Sequence, residues 1–400
     1  MKASNSYLKT ILLSSAVSFT FGLVGIYVSK VIGPTSRGHL AQLVLITLLS
    51  TILSDLGTQS SVTYHVARGN DTYSRIYRWA MRRIIFRTTF LGAPIIIFAK
   101  FLGWLDLNEM LILLAFIFLS SLLASNMHAL QAIDLVKWRT FLLAQIPIFI
   151  LLNVYFYNTG YTVLGVYISV YLPTLFPPLL AFFFLKKEVF AQSNSDLCST
   201  EKDFNNFAHR SLNWEISMQI FNRIDLILVL IFFGQSEMGN YSVVISWMLV
   251  ANPLFGALGN IGFPKLASLH DEVDVKSKFS RKLLLTSFSA AIAIVTLFSL
   301  VGFQLLPNIL GDAYQDVKEL FPAVVLLSAA KLLLPVIGDI ARGNNSMSLL
   351  SLHLYCGVFV SLIITLIFDS YGFIPLVYCY SFTQFIIVCL AGLQISKKGK

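Results

Sequence analysis

A chain of 400 residues that is 56% hydrophobic and only 12% charged, with a mean hydropathy of +0.75, is no soluble globular domain. Its formal net charge of +9 would suit a nucleic-acid binder, but the basic residues fall in alternate connections instead of one patch, which excludes that partner. The four cysteines, Cys198, Cys356, Cys379 and Cys389, show no CxxC and no paired spacing, so neither a disulfide framework nor a zinc site is expected.

A membrane-spanning helix needs roughly 20 mostly apolar residues. The chain offers twelve such stretches: 8–31, 39–67, 84–105, 110–133, 138–157, 162–185, 211–233, 237–263, 281–306, 317–340, 347–368 and 372–394. Barrel strands would instead alternate in polarity over about 10 residues. The first stretch follows Lys2 and Lys9, as a secretory leader would. It is too long for a leader core and no small-x-small site follows it, so an uncleaved helix is expected.

The first stretch closes on Gly33-Pro34-Thr35-Ser36-Arg37-Gly38, and the seventh on Gly234-Gln235-Ser236-Glu237-Met238-Gly239. Both are G-x4-G, and they lie 201 residues apart in a chain of 400. Leu56-Gly57 recurs as Leu258-Gly259, and Arg82-Arg83 as Arg281-Lys282. An offset near half the length indicates two copies of one membrane unit, a common transporter plan. The most polar stretch, 186–210, then separates an N-terminal six-helix bundle (1–185) from a C-terminal one (211–400).

The charges give a topology. With the N-terminus inside, 23 of the 29 Lys and Arg residues fall in inside connections and their flanks. The outside receives Lys30, Arg37, Lys100 and Lys318, while Arg223 and Lys331 lie within helices. By the positive-inside rule both termini are cytoplasmic, and the two bundles are parallel repeats. The segment Arg75 to Arg83 carries arginines at i, i+3 and i+7 with aromatic residues between them. That face suits the headgroup layer. Arg78, Arg82, Arg83 and Arg87 are therefore either topology charges or contacts for a lipid-linked phosphate at a cytoplasmic entrance.

Ionisable groups inside spans are costly and mark function or internal pairing. The seventh span carries a polar stripe of Ser211, Glu215, Gln219, Asn222, Arg223 and Asp225. The tenth carries Ser328, Lys331, Asp339 and Arg342, with Pro335 able to kink it. Two readings stay open: the charges lock the C-terminal half by pairing, or Arg223 or Lys331 lines a hydrated cavity and meets an anion. Asp225 fits the structural reading better, because an acid would repel that anion. None of the six histidines forms HExxH or H-x3-H, and neither a Walker A sequence nor a G-x-S-x-G elbow occurs, so no metal, cofactor, ATPase or catalytic centre is expected.

The turn from Val31 to Ala41 resembles that between the first two helices of bacterial polysaccharide-unit flippases. Asn222-Arg223-Ile224-Asp225, Gly239-Asn240-Tyr241-Ser242, Phe263-Pro264-Lys265-Leu266 and Leu310-Gly311-Asp312-Ala313-Tyr314 are similar to that family too. These O-antigen and capsule repeat-unit translocases belong to the multidrug/oligosaccharidyl-lipid/polysaccharide exporter superfamily. The resemblance implies an all-α membrane protein of about 12 helices, two six-helix bundles around a central cavity opening to either side in turn. It implies a polyprenyl-pyrophosphate-linked oligosaccharide as substrate, surrounding membrane lipids, and H+ or Na+ where a coupling ion is used. It also implies a monomer in the bacterial inner membrane, working beside polysaccharide polymerase machinery. The resemblance implies cavity arginines in the first helix, as in several relatives; here 8–29 holds only Lys9, near the edge, which puts most of the implied cationic role on the C-terminal half. The alternative is a cation-coupled multidrug exporter of the same superfamily, which would need membrane-embedded acids such as Asp225 and Glu215.

Overall fold

In the computed structural model the described residues are 2–68, 73–133, 135–189, 201–252, 254–256, 266, 273–314, 317–344 and 346–397. Leu258-Gly259, Phe263-Pro264-Lys265, Cys198 and the 190–200 part of the expected linker lie outside them. Among the described residues there are helices and turns and no strands. In chain order the helices are α1 (Lys2–Asp55), α2 (Thr58–Arg68), α3 (Tyr73–Arg87), α4 (Ala93–Phe101), α5 (Leu107–Ile133), α6 (Leu135–Leu143), α7 (Gln145–Thr159), α8 (Val163–Tyr171) and α9 (Phe176–Val189). Then follow α10 (Glu201–Phe221), α11 (Ile224–Met248), α12 (Val273–Leu310), α13 (Val317–Gly343), α14 (Met347–Phe368) and α15 (Phe373–Lys397).

Among the described residues, ten continuous helical runs are long and apolar enough to cross a membrane. Among the long ones, Ser18–Asp55 and Glu201–Ala251 run to 38 and 51 residues, more than one crossing needs. Each contains one non-helical glycine: Gly33 (φ 78°, ψ 169°) and Gly234 (φ 81°, ψ −171°). Only glycine adopts such backbone without strain. Divided at these kinks, the ten runs become twelve spans, and the paired glycines have nearly the same conformation.

The chain divides into two compact units, Gln42–Ile216 and Met1–Ala41 with Ser217–Lys400. In the first, α5 is central and packs against α2, α3 and α9. Val62, Ile76, Ala80, Ile84, Ala129, Leu185 and Phe204 make its core. A reciprocal capping box starts α5: Glu109 N–H donates to Asp106 Oδ1 (2.7 Å), and Asp106 N–H to Glu109 Oε2 (2.9 Å). Residues 201–210, expected in the linker, are the first half of α10. Glu201 and Asp203 favour a helix N-terminus, and Phe204 and Ala208, four apart, are both buried.

In the second unit α13 is the central helix, buried along most of its length against α11, α12 and α15. The segment before Gly33 also packs here, so this unit holds both G-x4-G turns. The turns touch each other reciprocally. A Cβ on Gly38 would lie 1.7 Å from the Gln235 carbonyl oxygen, and one on Gly239 would lie 1.9 Å from that of Pro34. Gln235 and Pro34 are themselves equivalent at the 201-residue offset. The contact thus has an internal two-fold character: each turn offers a glycine Cα to the other's carbonyl, a Cα–H···O approach that a side chain would block. His39 Nδ1 lies 3.1 Å from Gln235 Nε2, and Arg37 Nη2 donates to Ser246 Oγ at 3.3 Å. Nearby, the buried Tyr314 hydroxyl donates to the Ser29 carbonyl at 2.7 Å, and burial pushes its phenol up to about 12.

Candidate functional site

The structure gathers the ionisable residues of the spans into two clusters, one in each unit. The first forms where α1 ends. Leu56 (φ 40°) and Gly57 (φ 82°) break the helix before α2, so the stretch expected as one helix over 39–67 is interrupted. A helix C-terminus leaves carbonyls unsatisfied. Arg87 meets them: its Nη1 donates to the Asp55 carbonyl (2.8 Å), the Leu56 carbonyl (2.7 Å) and Thr58 Oγ1 (3.3 Å). A π-turn over Thr88–Gly92 follows directly, and a Cβ on Gly92 would fall 2.3 Å from Ser54 Oγ, so the chain there runs against α1. The Asp55 carboxylate in turn accepts from Gln59 N–H at 2.9 Å, starting α2. Glu215 accepts from the Ser60 hydroxyl and lies near enough to Arg87 and Asp55 to act on both electrostatically. Arg83 donates to the Asn205 amide oxygen.

Of the four expected entrance arginines, Arg87 is therefore buried as a helix cap and Arg83 is engaged with α10. Arg78 and Arg82 remain exposed, Arg82 lying 3.9 Å from Glu201. Replacing Arg87 by methionine should destabilise the protein by about 2–4 kcal/mol. It strips two main-chain carbonyls of charge-assisted bonds worth about 1.5–3 kcal/mol each, part of which nearby groups recover. Thermal unfolding in detergent should show a large fall for Arg87→Met and none for Arg78→Met; equal curves would remove the capping role.

The second cluster lies at the break between α10 and α11. Arg223 sits at φ −126°, ψ −7°, between the two helices. Its N–H bonds to Ile220 in a tightened turn (3.0 Å), and helical bonding resumes with Ile227 N–H to Arg223 (3.1 Å). Lys331 of α13 fills the gap: its Nζ donates to the Asn222 carbonyl at 2.9 Å and to Asp225 Oδ2 at 2.5 Å. Tyr241 donates to the same Oδ2 at 2.7 Å. The two charged side chains are 4% and 1% exposed. The Asp225–Lys331 pair is thus an internal lock across an unwound segment of the membrane span. Close by, Gln384 donates to Ser361 (2.9 Å) and Tyr380 (3.0 Å). Uncharged residues such as these carry no signal in the sequence to set them apart from other polar positions in the spans.

Lys331 therefore points into the helix bundle, with its charge matched by Asp225. Gln219, Asn222 and Arg223 are half-buried. On α13, Asp339 pairs with Arg342 at 3.1 Å, and Pro335 removes the N–H that would have bonded the Lys331 carbonyl. Among the described residues no group of three His, Cys, Asp or Glu side chains is placed to hold a metal.

These features define a class: an all-helical, multi-span membrane protein with discontinuous helices and an internal repeat. The fold is that of solved transporters. A multidrug resistance MATE family transporter of the MOP superfamily, captured inward-facing, matches with a TM-score of 0.70 at 14% identity, covering 98% of both chains. An outward-facing one matches with 0.69 at 14% identity, over 99% of this chain and 96% of that one. A MOP superfamily transporter from Pyrococcus furiosus, described as having a binding pocket of reverse polarity, matches with 0.63 at 16% identity, over 99% and 96%. At such identities the likeness shows the fold. The family model for "Polysaccharide biosynthesis protein" matches residues 28–319, and the chain belongs to that family. No curated protein matches it in sequence.

Proposed function

We propose that the protein is a flippase that moves a polyprenyl-pyrophosphate-linked oligosaccharide across the bacterial inner membrane for O-antigen, capsule or exopolysaccharide synthesis. One coincidence carries this reading: a polysaccharide biosynthesis family match on a chain with the fold of MOP superfamily transporters. Translocation follows from rocking of the repeat halves, 1–185 and 211–400, joined through 186–210, with no covalent chemistry. Both termini face the cytoplasm, as the distribution of Lys and Arg supports.

Within the C-terminal half, Arg223 is the cation we assign to the pyrophosphate, flanked by Gln219 and Asn222. Lys331 and Asp225 hold the unwound segment that presents it, and Glu215 serves the first cluster. Arg78 and Arg82 stand at the cytoplasmic entrance, with Arg83 and Arg87 behind them. H+ or Na+ would be the coupling ion, and the polymerase machinery the downstream partner.

Deletion followed by analysis of lipid-linked intermediates tests this. Lipid-linked oligosaccharide should accumulate in the cytoplasmic leaflet alone, and Arg223→Ala should reproduce that while protein level and membrane insertion stay normal. Accumulation in the outer leaflet would indicate a polymerisation defect and end the flippase reading. The buried acid Asp225 favours a second reading, a cation-coupled multidrug exporter. Its pairing with Lys331 leaves little net negative charge for a cationic drug, and that reading requires drug sensitivity with normal surface glycan.

A further inference from the structure

The arginines along α3 separate into two parts. Arg83 and Arg87 turn inward, to α10 and to the end of α1. Arg75, Arg78 and Arg82 instead surround, with Trp79, an open cavity of about 330 Å³. Positions 75, 78, 79 and 82 recur at helical spacing, so one face of α3 carries all four. The indole forms one wall and is held from behind by the Phe204 ring, 6.0 Å away between centroids at 52°. Arg82 lies 3.9 Å from Glu201 with both side chains well exposed, a pairing worth at most about 1 kcal/mol and easily displaced.

Arg75 opens the membrane-crossing run Arg75–Phe101, which places this cavity at one end of the span, level with headgroups. Along the same helix the next turns are apolar and exposed: Ile85, Phe86 and Phe90, with the two phenylalanine rings 4.8 Å apart. Three guanidiniums bind phosphate oxygens in forked geometry better than lysines would. A soluble phosphate would use the arginines alone, whereas an amphiphile would also cover the aromatic stripe beneath them.

We infer that Arg75, Arg78, Trp79 and Arg82 form a binding site for the phosphate or diphosphate headgroup of a membrane amphiphile whose apolar chain runs along Phe86 and Phe90. The headgroup comes either from an isoprenyl diphosphate or from an anionic phospholipid. The inference rests on the flippase reading in taking Arg78 and Arg82 as the cytoplasmic entrance, but the two can fail separately, because binding is read on purified protein while that reading is tested by leaflet analysis in cells.

Purified protein in neutral detergent is titrated with farnesyl diphosphate, phosphatidylglycerol, inorganic pyrophosphate and farnesol, with native mass spectrometry and indole fluorescence as readouts. The variants are Arg75→Gln/Arg78→Gln/Arg82→Gln and a control removing three exposed charges from α12, Lys278→Gln/Arg281→Gln/Lys282→Gln. In an Arg223→Ala background, which removes the cation assigned to the pyrophosphate above, farnesyl diphosphate should saturate a single site, at least about tenfold more weakly when the cavity substitutions are added and unchanged with the control ones; that factor corresponds to about 1.4 kcal/mol. Arginine-dependent binding of phosphatidylglycerol without farnesyl diphosphate would assign the headgroup to bilayer lipid and still support the site. Equal affinity with and without the cavity substitutions, or equal loss in the control, would overturn it. Pyrophosphate binding as tightly as farnesyl diphosphate would overturn the amphiphile. If the triple variant fails to fold, the exposed Arg78→Gln alone should weaken farnesyl diphosphate binding, and an unchanged affinity there would overturn the site equally.

Discussion

Replacing Gly38 or Gly239 by alanine is expected to lower the stability of the protein sharply, each by about the same amount. A Cβ at either position would sit less than 2 Å from a backbone carbonyl oxygen of the opposite turn. Nothing at that point can rotate away, since both colliding groups are main chain. The turns would have to separate, losing the His39–Gln235 and Arg37–Ser246 contacts with them. Overpacking of this kind costs about 1–3 kcal/mol, and backbone obstacles belong at the upper end. Gly25→Ala is the matched control: its Cβ would meet nothing within 4 Å, and alanine favours a helix by up to about 1 kcal/mol over glycine. The double variant Gly38→Ala/Gly239→Ala should cost less than the sum of the singles, because one separation of the turns relieves both clashes. Melting curves of the four purified variants decide the matter. Additive effects, or single variants as stable as Gly25→Ala, would mean that the turns do not clasp.

The twelve spans are legible in the sequence because a lipid-facing helix writes its length directly into the hydropathy of the chain. The duplicated turns are legible too, since a fixed offset survives even where the residues between have diverged. Their mutual contact is not. A repeat shows that two segments are alike, but nothing local shows that each is the other's neighbour. The same limit governs the charges. Lys331 in a span signals either a cavity or a partner, and the partner, Asp225, lies 106 residues away. Arg87 reads as one more basic residue of an interfacial face; its capping role depends on the break at Leu56-Gly57, where glycine is visible but the unsatisfied carbonyls are not. The first half of α10, with Phe204 and Ala208 four apart, does carry the pattern of an amphipathic helix beneath its polar composition.

Removing either member of the Lys331–Asp225 pair should damage the protein far more than removing both. Lys331→Met leaves a carboxylate in a site 1% exposed and strips the Asn222 carbonyl of its donor. Asp225→Asn leaves an ammonium with one carbonyl in place of a carboxylate, and deprives Tyr241 of its charged acceptor. Breaking a buried pair from one side costs about 3–5 kcal/mol, whereas replacing both charges is often close to neutral. The double variant Lys331→Met/Asp225→Asn should therefore recover most of the thermal stability and membrane yield that each single variant loses. The remaining deficit measures the unwound turn at Asn222–Arg223, whose carbonyl stays without its Lys331 donor in all variants lacking the lysine. Function gives a second axis. A pair that only locks the helices will restore surface polysaccharide together with stability in the double variant. A pair whose opening is part of transport will leave the double variant stable yet defective. No recovery of stability at all would mean that the two charges are not each other's principal partner, and the lock across the break would have to be abandoned.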